Sequence, residues 1–421
     1  MPDSNQVDRR GFLMGAAFAG LGMGLLVEEL QAQQGAATDE KPAGPPIGCA
    51  VIGLGLRGRE TLAALAKLPN APVAAICDSY TSEAYVKRAQ TIAPTAAFKP
   101  DYKEVLAMPG VKAVFVDTPS HLHKQIVLDA LQAGKHVYCE APLATEIADA
   151  KAIAQAAAAS KSVFQAGLQY RANKMHNHAR NFLGDMGKPV AAQAQWRRKM
   201  TWKGAAPTPE RERDLSWRIF KATSSGLPGE VGIHEFDVIS WYLKELPVAV
   251  MGFGNPNPKD GMEVPDTVQC VFEYPSGLRL GFDATLCNSF DGSYELIMGP
   301  AFAMLIRDQR GWMFKETDSP LLGWEVYARK DKFGDETGIA LVADATKLMS
   351  QGKEPGKVGA DVSKSALYQS VAAFLDSARS GKKPAADAEV GYQATVIARM
   401  AHDACMSGSR IEIPAQALSL A

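Results

Sequence analysis

Cysteine is scarce and unpaired in this 421-residue sequence: there are six, none in a C-x-x-C spacing. That removes a disulfide framework and the usual zinc and redox motifs. Cys49, Cys77 and Cys139 fall in apolar stretches, where a free thiol packs as a small hydrophobe. An excess of charge is lacking too. The formal net charge is −1, so no field draws the chain to nucleic acid or to an anionic membrane. The apolar run at 15–27 is short, rich in Gly and Ala, and stops at Glu28-Glu29, which excludes a comfortable membrane span and hence a stable anchor. Grouped metal ligands are missing as well. His176 and His178 would stand on opposite faces of a helix, and no Cys/His/acid group has ligand spacing, so no metal is expected. No internal repeat is present. The chain is 47% hydrophobic, enough for two domains with substantial cores, and function must come from a site.

The first stretch stands apart. Asp8-Arg9-Arg10-Gly11-Phe12-Leu13-Met14 resembles a twin-arginine export signal, followed by the mild apolar run. A soluble N-terminal helix is the other reading, although Gly15, Gly20, Gly22 and Gly24 are poor helix residues. The expectation is a signal peptide over 1–32, cleaved near Ala32, then a polar, Pro-rich linker over 33–46. This implies the twin-arginine export machinery as a partner and a periplasmic address. Free thiols in apolar strands suit a protein folded in the cytosol and exported with its cofactor already loaded.

From Ile47 the pattern sharpens. Ile47-Gly48-Cys49-Ala50-Val51-Ile52-Gly53-Leu54-Gly55-Leu56-Arg57-Gly58 is an apolar run that breaks into the G-x-G-x-x-G order of a dinucleotide-binding turn. Gly53 permits the bend, Gly55 lets backbone approach a pyrophosphate, and Gly58 lets helix and strand pack closely. Leu56 and Arg57 lead from the turn into a helix read over Glu60 to Leu68, whose N-terminal N–H groups face the phosphates. At the expected distance Pro72–Cys77 reads as a strand ending in Asp78, whose carboxylate suits the adenosine ribose of NAD and repels a 2′-phosphate. Helix and strand then alternate to Ala166, the mark of a parallel doubly wound sheet. Beyond Gly167 come a polar loop (197–214), a helix from Ile233 to Leu243, several strands between turn signals, and two closing helices. The fold class predicted is α/β: an N-terminal Rossmann domain (47–166) plus a C-terminal α+β domain (167–421) with an open, largely antiparallel sheet.

Three stretches together resemble one family. They are the Gly53–Gly58 turn, Thr118-Pro119-Ser120-His121-Leu122-His123, and Ala133-Gly134-Lys135-His136-Val137-Tyr138-Cys139-Glu140-Ala141-Pro142-Leu143-Ala144. The chain is similar in these to the glucose–fructose oxidoreductase / inositol dehydrogenase (Gfo/Idh/MocA) family. The likeness continues through Gly229-Glu230-Val231-Gly232-Ile233-His234-Glu235-Phe236-Asp237. It implies NAD(P) between the domains, with NAD favoured by Asp78 and tight binding expected from the export address, sugar or polyol substrates, and a second-domain sheet able to support a homo-oligomer. It also places Thr118, Pro119, His123, Glu140 and Pro142 around the nicotinamide end, although His123 also reads as an ordinary first-turn helix residue. Two departures stand out. Ala141 replaces the Lys that holds the reacting hydroxyl in the family's dehydrogenases, and Glu230 replaces an Asp.

With that Lys absent, His234 is the expected general base. Asp237, one helical turn on, is expected to orient it, and Glu230 or Glu235 to act as a second acid/base. Tyr170, Arg171, Trp196, Arg198 and Trp202 are candidates for stacking on and hydrogen-bonding to a sugar, while each aromatic reads equally well as a loop anchor. Three functions compete. The first is redox-neutral glycoside cleavage through transient oxidation at C3, as the resemblance to the family's exported NAD-dependent glycosidases implies. The second is net sugar oxidoreduction, and the third is sugar sensing without catalysis.

Overall fold

The computed structural model describes residues 44–307, 309–326, 328–342 and 364–420. The export segment and nearly all of the linker read from the sequence lie outside them. Strand β1 (Cys49–Ile52) is buried at every position, as a parallel strand covered on both faces must be. Helix α1 (Leu56–Ala66) starts directly at the glycine turn, four residues before the Glu60 start that composition suggests. It can do so because Gly58 lies inside it against the strand. A Cβ there would stand 1.9 Å from the Gly53 carbonyl oxygen, so only glycine permits this approach.

The first sheet continues through β2 (Val73–Cys77), α2 (Glu83–Ile92), β3 (Ala97–Lys99), α3 (Tyr102–Ala107), β4 (Ala113–Val116), α4 (His123–Gln132), β5 (His136–Cys139), α5 (Ile147–Ala159) and β6 (Phe164–Ala166). All six strands are parallel, in the order β3-β2-β1-β4-β5-β6. The order reverses between β1 and β4, so the crevice for a ligand opens at their carboxyl ends.

After α6 (Lys174–Arg180) a second sheet forms from β7 (Ala191–Arg197), β8 (Ala249–Gly254), β9 (Thr267–Glu273), β10 (Arg279–Thr285), β11 (Ser293–Met298), β12 (Phe302–Arg307), β13 (Arg310–Lys315), β14 (Lys330–Phe333), β15 (Glu336–Leu341) and β16 (Arg410–Glu412). Its order is β14-β15-β13-β12-β11-β7-β10-β9-β8-β16. Only the β7–β10 pair is parallel. The sequence reading contained neither β14 and β15 nor the helix α7 (Pro209–Leu215), which sits inside the stretch taken as a polar loop. Helix α8 (Ile233–Leu243) lies between this sheet and the cleft.

The closing helices correct the domain division. Helix α9 (Ala366–Ser380) packs on the first sheet, with Phe374 edge-on to Phe115 at 5.3 Å and to Tyr138 at 5.7 Å. Leu367, Val371 and Leu375 join the same buried cluster, each worth about 1.5–3 kcal/mol of gross burial energy. Helix α10 (Ala388–Ser407) spans the two sheets, and the Ala166 N–H donates to the Ala386 carbonyl at 2.8 Å. Packing therefore does not divide at residue 166: the chain's end completes the core of its beginning.

Candidate active site

At the carboxyl edge of the first sheet lies a cleft of about 1340 Å³, walled by both sheets' loops. That exceeds the roughly 300–1,000 Å³ of a single small-ligand pocket and leaves room for a dinucleotide beside a sugar. Gly53 turns the chain at φ +98°, and a Cβ there would meet the Asp117 backbone at 2.7 Å. Gly55 is the opposite case, since a Cβ would meet nothing within 4 Å and the backbone is bare to the cleft. The N-terminus of α1 has no side-chain cap and no acid in its first turn, so its N–H groups and positive end are free for an anion. Leu56 and Arg57 border the cleft there. Gly58 faces β1 and does its work in packing. Asp78 accepts from the Leu54 N–H at 2.8 Å, the Tyr80 N–H at 2.9 Å and the Tyr85 hydroxyl at 3.2 Å. These residues fit a dinucleotide: a bare phosphate cradle, and an oriented carboxylate one strand away.

The floor of the cleft is charged. Arg57 Nε pairs with Glu140 at 2.9 Å, and Arg57 Nη2 donates to Gln169 at 3.0 Å. Asp117, buried behind them, accepts from Thr61 at 3.2 Å, and burial with the neighbouring Glu140 lifts its carboxyl well above the usual range. His123 lines the cleft, but carbonyls occupy its ring nitrogens. Nε2 faces Thr118 at 2.8 Å, and Nδ1 faces Pro142 at 3.1 Å and Leu143 at 3.2 Å. Burial pushes it down to about 4 against the pull of these carbonyls, and the ring tacks the end of β4 to the segment after β5. Thr118, Pro119 and Glu140 border the cleft. Pro142 is a correction: it is buried behind the wall, following a cis bond, and presents its carbonyl to His123.

A long strap leaves β7 and closes the other side. Thr208 caps α7 through the Arg211 N–H, with Pro209 in the first turn, and buried Trp202 anchors the strap. Arg211 lays its guanidinium 4.0 Å from the Tyr80 ring, beside Asp78, with Nε buried and without a partner. Trp196, Arg198, Trp202 and Tyr170 all border the cleft. So does Trp217, with Arg218 stacked on it at 4.3 Å. Glu230 sits in a π-turn, 228–232, just before α8. It pairs with Arg218 at 3.5 Å and accepts from Ser224 at 3.3 Å and Ser120 at 3.4 Å, while burial raises its carboxyl.

His234 follows, edge-on to Tyr170 at 5.9 Å, with Nδ1 buried and unpartnered. Burial first, then the charge of Arg57, pushes it down to about 3, so it stands neutral. The expected partnership with Asp237 is not there. Asp237 is held by Arg171 through three contacts of 2.8–3.0 Å and faces away from the cleft. A buried carboxylate needs a cation more than a neutral imidazole does, and Arg171 meets that need. Both residues therefore leave the site: Arg171 is no sugar contact, and Asp237 does not orient His234. Sequence reasoning also missed Asp117, Gln169 and Arg211. Asp117 did carry a signal, since it ends an apolar strand just as Asp78 does.

Residues 47–168 match the oxidoreductase family with an NAD-binding Rossmann fold, and 183–298 match the Gfo/Idh/MocA C-terminal domain. Levoglucosan dehydrogenase of Pseudarthrobacter phenanthrenivorans is 26% identical over 209 residues, which are 44% of this chain and 52% of that one. The match thus spans about half that relative's length. The 2,7-anhydro-N-acetylneuraminate hydratase of Escherichia coli is 26% identical over 255 residues, 59% of this chain and 64% of that one. Among solved structures, a levoglucosan dehydrogenase complex with NADH and levoglucosan superposes with a TM-score of 0.69 at 19% identity, covering 88% of this chain and all of the other. Bare turn, oriented Asp78 and paired sheets thus coincide with family matches over most of the chain, which belongs to the Gfo/Idh/MocA oxidoreductases and binds NAD.

Proposed function

We propose that this family member cleaves a glycoside without net redox change, by transient oxidation of a ring hydroxyl at C3, elimination across C2–C1 and addition of water. Ala141 carries the reading. It borders the cleft beside Glu140, in the place of the Lys that holds the hydroxyl in the family's dehydrogenases, and has no proton to exchange. His234 is then the acceptor for the hydroxyl proton. Its low basicity lets the proton move only as the hydroxyl loses hydride and becomes acidic. Bound NAD supplies the acceptor for that hydride and its later return. Asp78 and the open end of α1 hold the dinucleotide, the Arg57–Glu140 pair fixes the floor, and Tyr170, Trp196 and Trp217 offer faces to a sugar ring.

The activity of the hydratase relative supports this reading, and that of the levoglucosan dehydrogenase supports the second one, net sugar oxidation. The export signal in the sequence adds weight to the first. Outside the cytosol no soluble nicotinamide pool would recycle the cofactor, so it must be regenerated where it sits. The test is a panel of α- and β-aryl glycosides in D₂O, with and without added NAD. Aglycone release with deuterium at C2 and no NADH is expected. NADH accumulating without release, or oxidised sugar formed only when a second sugar is added, would return the protein to the net oxidoreductases. Cell fractionation with an Arg9→Lys/Arg10→Lys variant tests the address, the expected result being retention in the cytosol.

A further inference from the structure

Beside His234 the cleft holds an acid that oxidation of a hydroxyl does not need. Glu235 borders the cleft, is 2% exposed, and leaves Oε2 buried without a hydrogen-bond partner. Its carboxyl is hydrogen-bonded to that of Glu295, on β11 and also buried. Among the described residues no ion pair reaches either carboxyl. Arg57 turns to Glu140, Arg218 to Glu230 and Arg171 to Asp237. Next along the helix stands His234, which burial pushes down, and the Tyr242 phenol feels Glu295 and Arg180 and is pushed well up.

Two carboxyls in contact, buried and without a cation, cannot both ionise. Burial and the facing Glu295 hold Glu235 well above the carboxylate range, and burial lifts Glu295 to about 7. The pair therefore keeps a proton at neutral pH and releases a first one close to it. Glu230, another acid of the cleft, is also raised by burial, but Arg218 and two serine hydroxyls surround it and offset part of that rise.

We infer that Glu235 is the general acid that protonates the leaving oxygen as the glycosidic bond breaks, with Glu295 as its proton-sharing partner. This rests on the glycoside-cleavage reading. In the step, the C2–H bond of the C3-oxidised sugar breaks and its electron pair becomes the C1–C2 double bond. The C1–O bond breaks with its pair on oxygen, and that oxygen takes the proton of Glu235. The C2 proton passes to His234, which has by then released the hydroxyl proton to solvent. The Glu295 O–H turns to the new Glu235 carboxylate. Water added at C1 later supplies the proton that restores the pair.

An acid matters in proportion to how poor the leaving group is, and that gives the test. Wild type, Glu235→Gln and Glu295→Gln are compared on the 4-nitrophenyl and methyl glycosides of the sugar that the panel above identifies. NAD content and thermal unfolding serve as the check on folding. In Glu235→Gln, kcat on the methyl glycoside falls by about 100-fold or more, within the range for loss of a general acid. On the nitrophenyl glycoside it falls by less than about tenfold, and deuterium still enters C2 of the methyl glycoside. In wild type, kcat on the methyl glycoside declines as pH rises through about 7, and in Glu295→Gln that limb moves.

Equal losses on both glycosides, loss of C2 exchange, or an unmoved limb would overturn the assignment. Wild-type protein that cleaves neither glycoside overturns the cleavage reading and this inference with it. Wild-type cleavage with Glu235→Gln unaffected on the methyl glycoside overturns this inference alone.

Discussion

Alanine at Gly55 and alanine at Gly58 are the same chemical change three residues apart, and the structure assigns them opposite outcomes. At Gly58 the new Cβ would lie 1.9 Å from the Gly53 carbonyl oxygen, 2.9 Å from its carbon and 3.4 Å from the Val51 side chain. Backbone cannot swing aside as a side chain can, so α1 must retreat from β1 by roughly 1.5 Å to regain ordinary contact. Overpacking of this kind costs about 1–3 kcal/mol, and a backbone neighbour places it near the top. For a chain of this size that is a fall of roughly 2–4 °C in Tm. At Gly55 the new Cβ meets nothing within 4 Å, so apo stability should stay within about 0.5 kcal/mol of wild type. The same methyl stands where a pyrophosphate must approach, and NAD affinity should drop at least tenfold, about 1.4 kcal/mol. Thermal melts of the NAD-stripped proteins, paired with titration calorimetry, read both quantities. If Gly55→Ala binds NAD as wild type does, or Gly58→Ala melts with it, the account of the turn is wrong.

Three further outcomes follow from the same geometry. Asp237→Asn leaves the mostly buried Arg171 charge uncompensated and should cost about 3 kcal/mol in denaturant unfolding, while the pH profile of turnover keeps its shape, because Asp237 does not face His234. Glu295 is lifted from 4.5 to about 7, so its share of stability is complete below pH 4.5 and is lost as pH rises through about 7. That share amounts to about 3 kcal/mol, and the Tm of Glu295→Gln should gain on wild type between pH 5 and pH 8, parallel curves being the refutation. Arg211→Ala removes the guanidinium stacked on Tyr80 and should speed NAD release about tenfold in stopped-flow displacement, with Arg211→Lys intermediate. An unchanged rate would mean that the strap does not hold the dinucleotide.

What could be read from the sequence was local. The glycine turn, the Asp78 strand end and most of the alternation down to Ala166 depend on neighbours within a few residues and lie where the pattern placed them, apart from the earlier start of α1 and the unexpected β3. Helix α7 was invisible because Pro-Glu-Arg-Glu-Arg-Asp-Leu has no apolar face to give a period. Its helix rests on the Thr208 cap, and just beyond its end the Ser216 hydroxyl accepts from the Gly204 N–H at 2.9 Å. The site was legible in its list of residues more than in their partnerships. His234 and Asp237 share a turn, yet the acid answers to Arg171, 66 residues away. Glu235 answers to Glu295 on another strand. Spacing along one helix says which side chains lie near each other, but not which charge elsewhere in the fold will claim one of them.

The docking of α9 on the first sheet has a consequence in time. The last strand of that sheet ends at Ala166, and the helix that covers Phe115 and Tyr138 begins at Ala366. At about 5–20 residues per second of synthesis, that face waits on the order of ten to forty seconds for its cover. A nascent chain halted before α9 would therefore carry a complete phosphate turn on a sheet whose α1 side is uncovered around Phe115 and Tyr138. The nucleotide fold, although first to leave the ribosome, is among the last parts of the molecule to be finished.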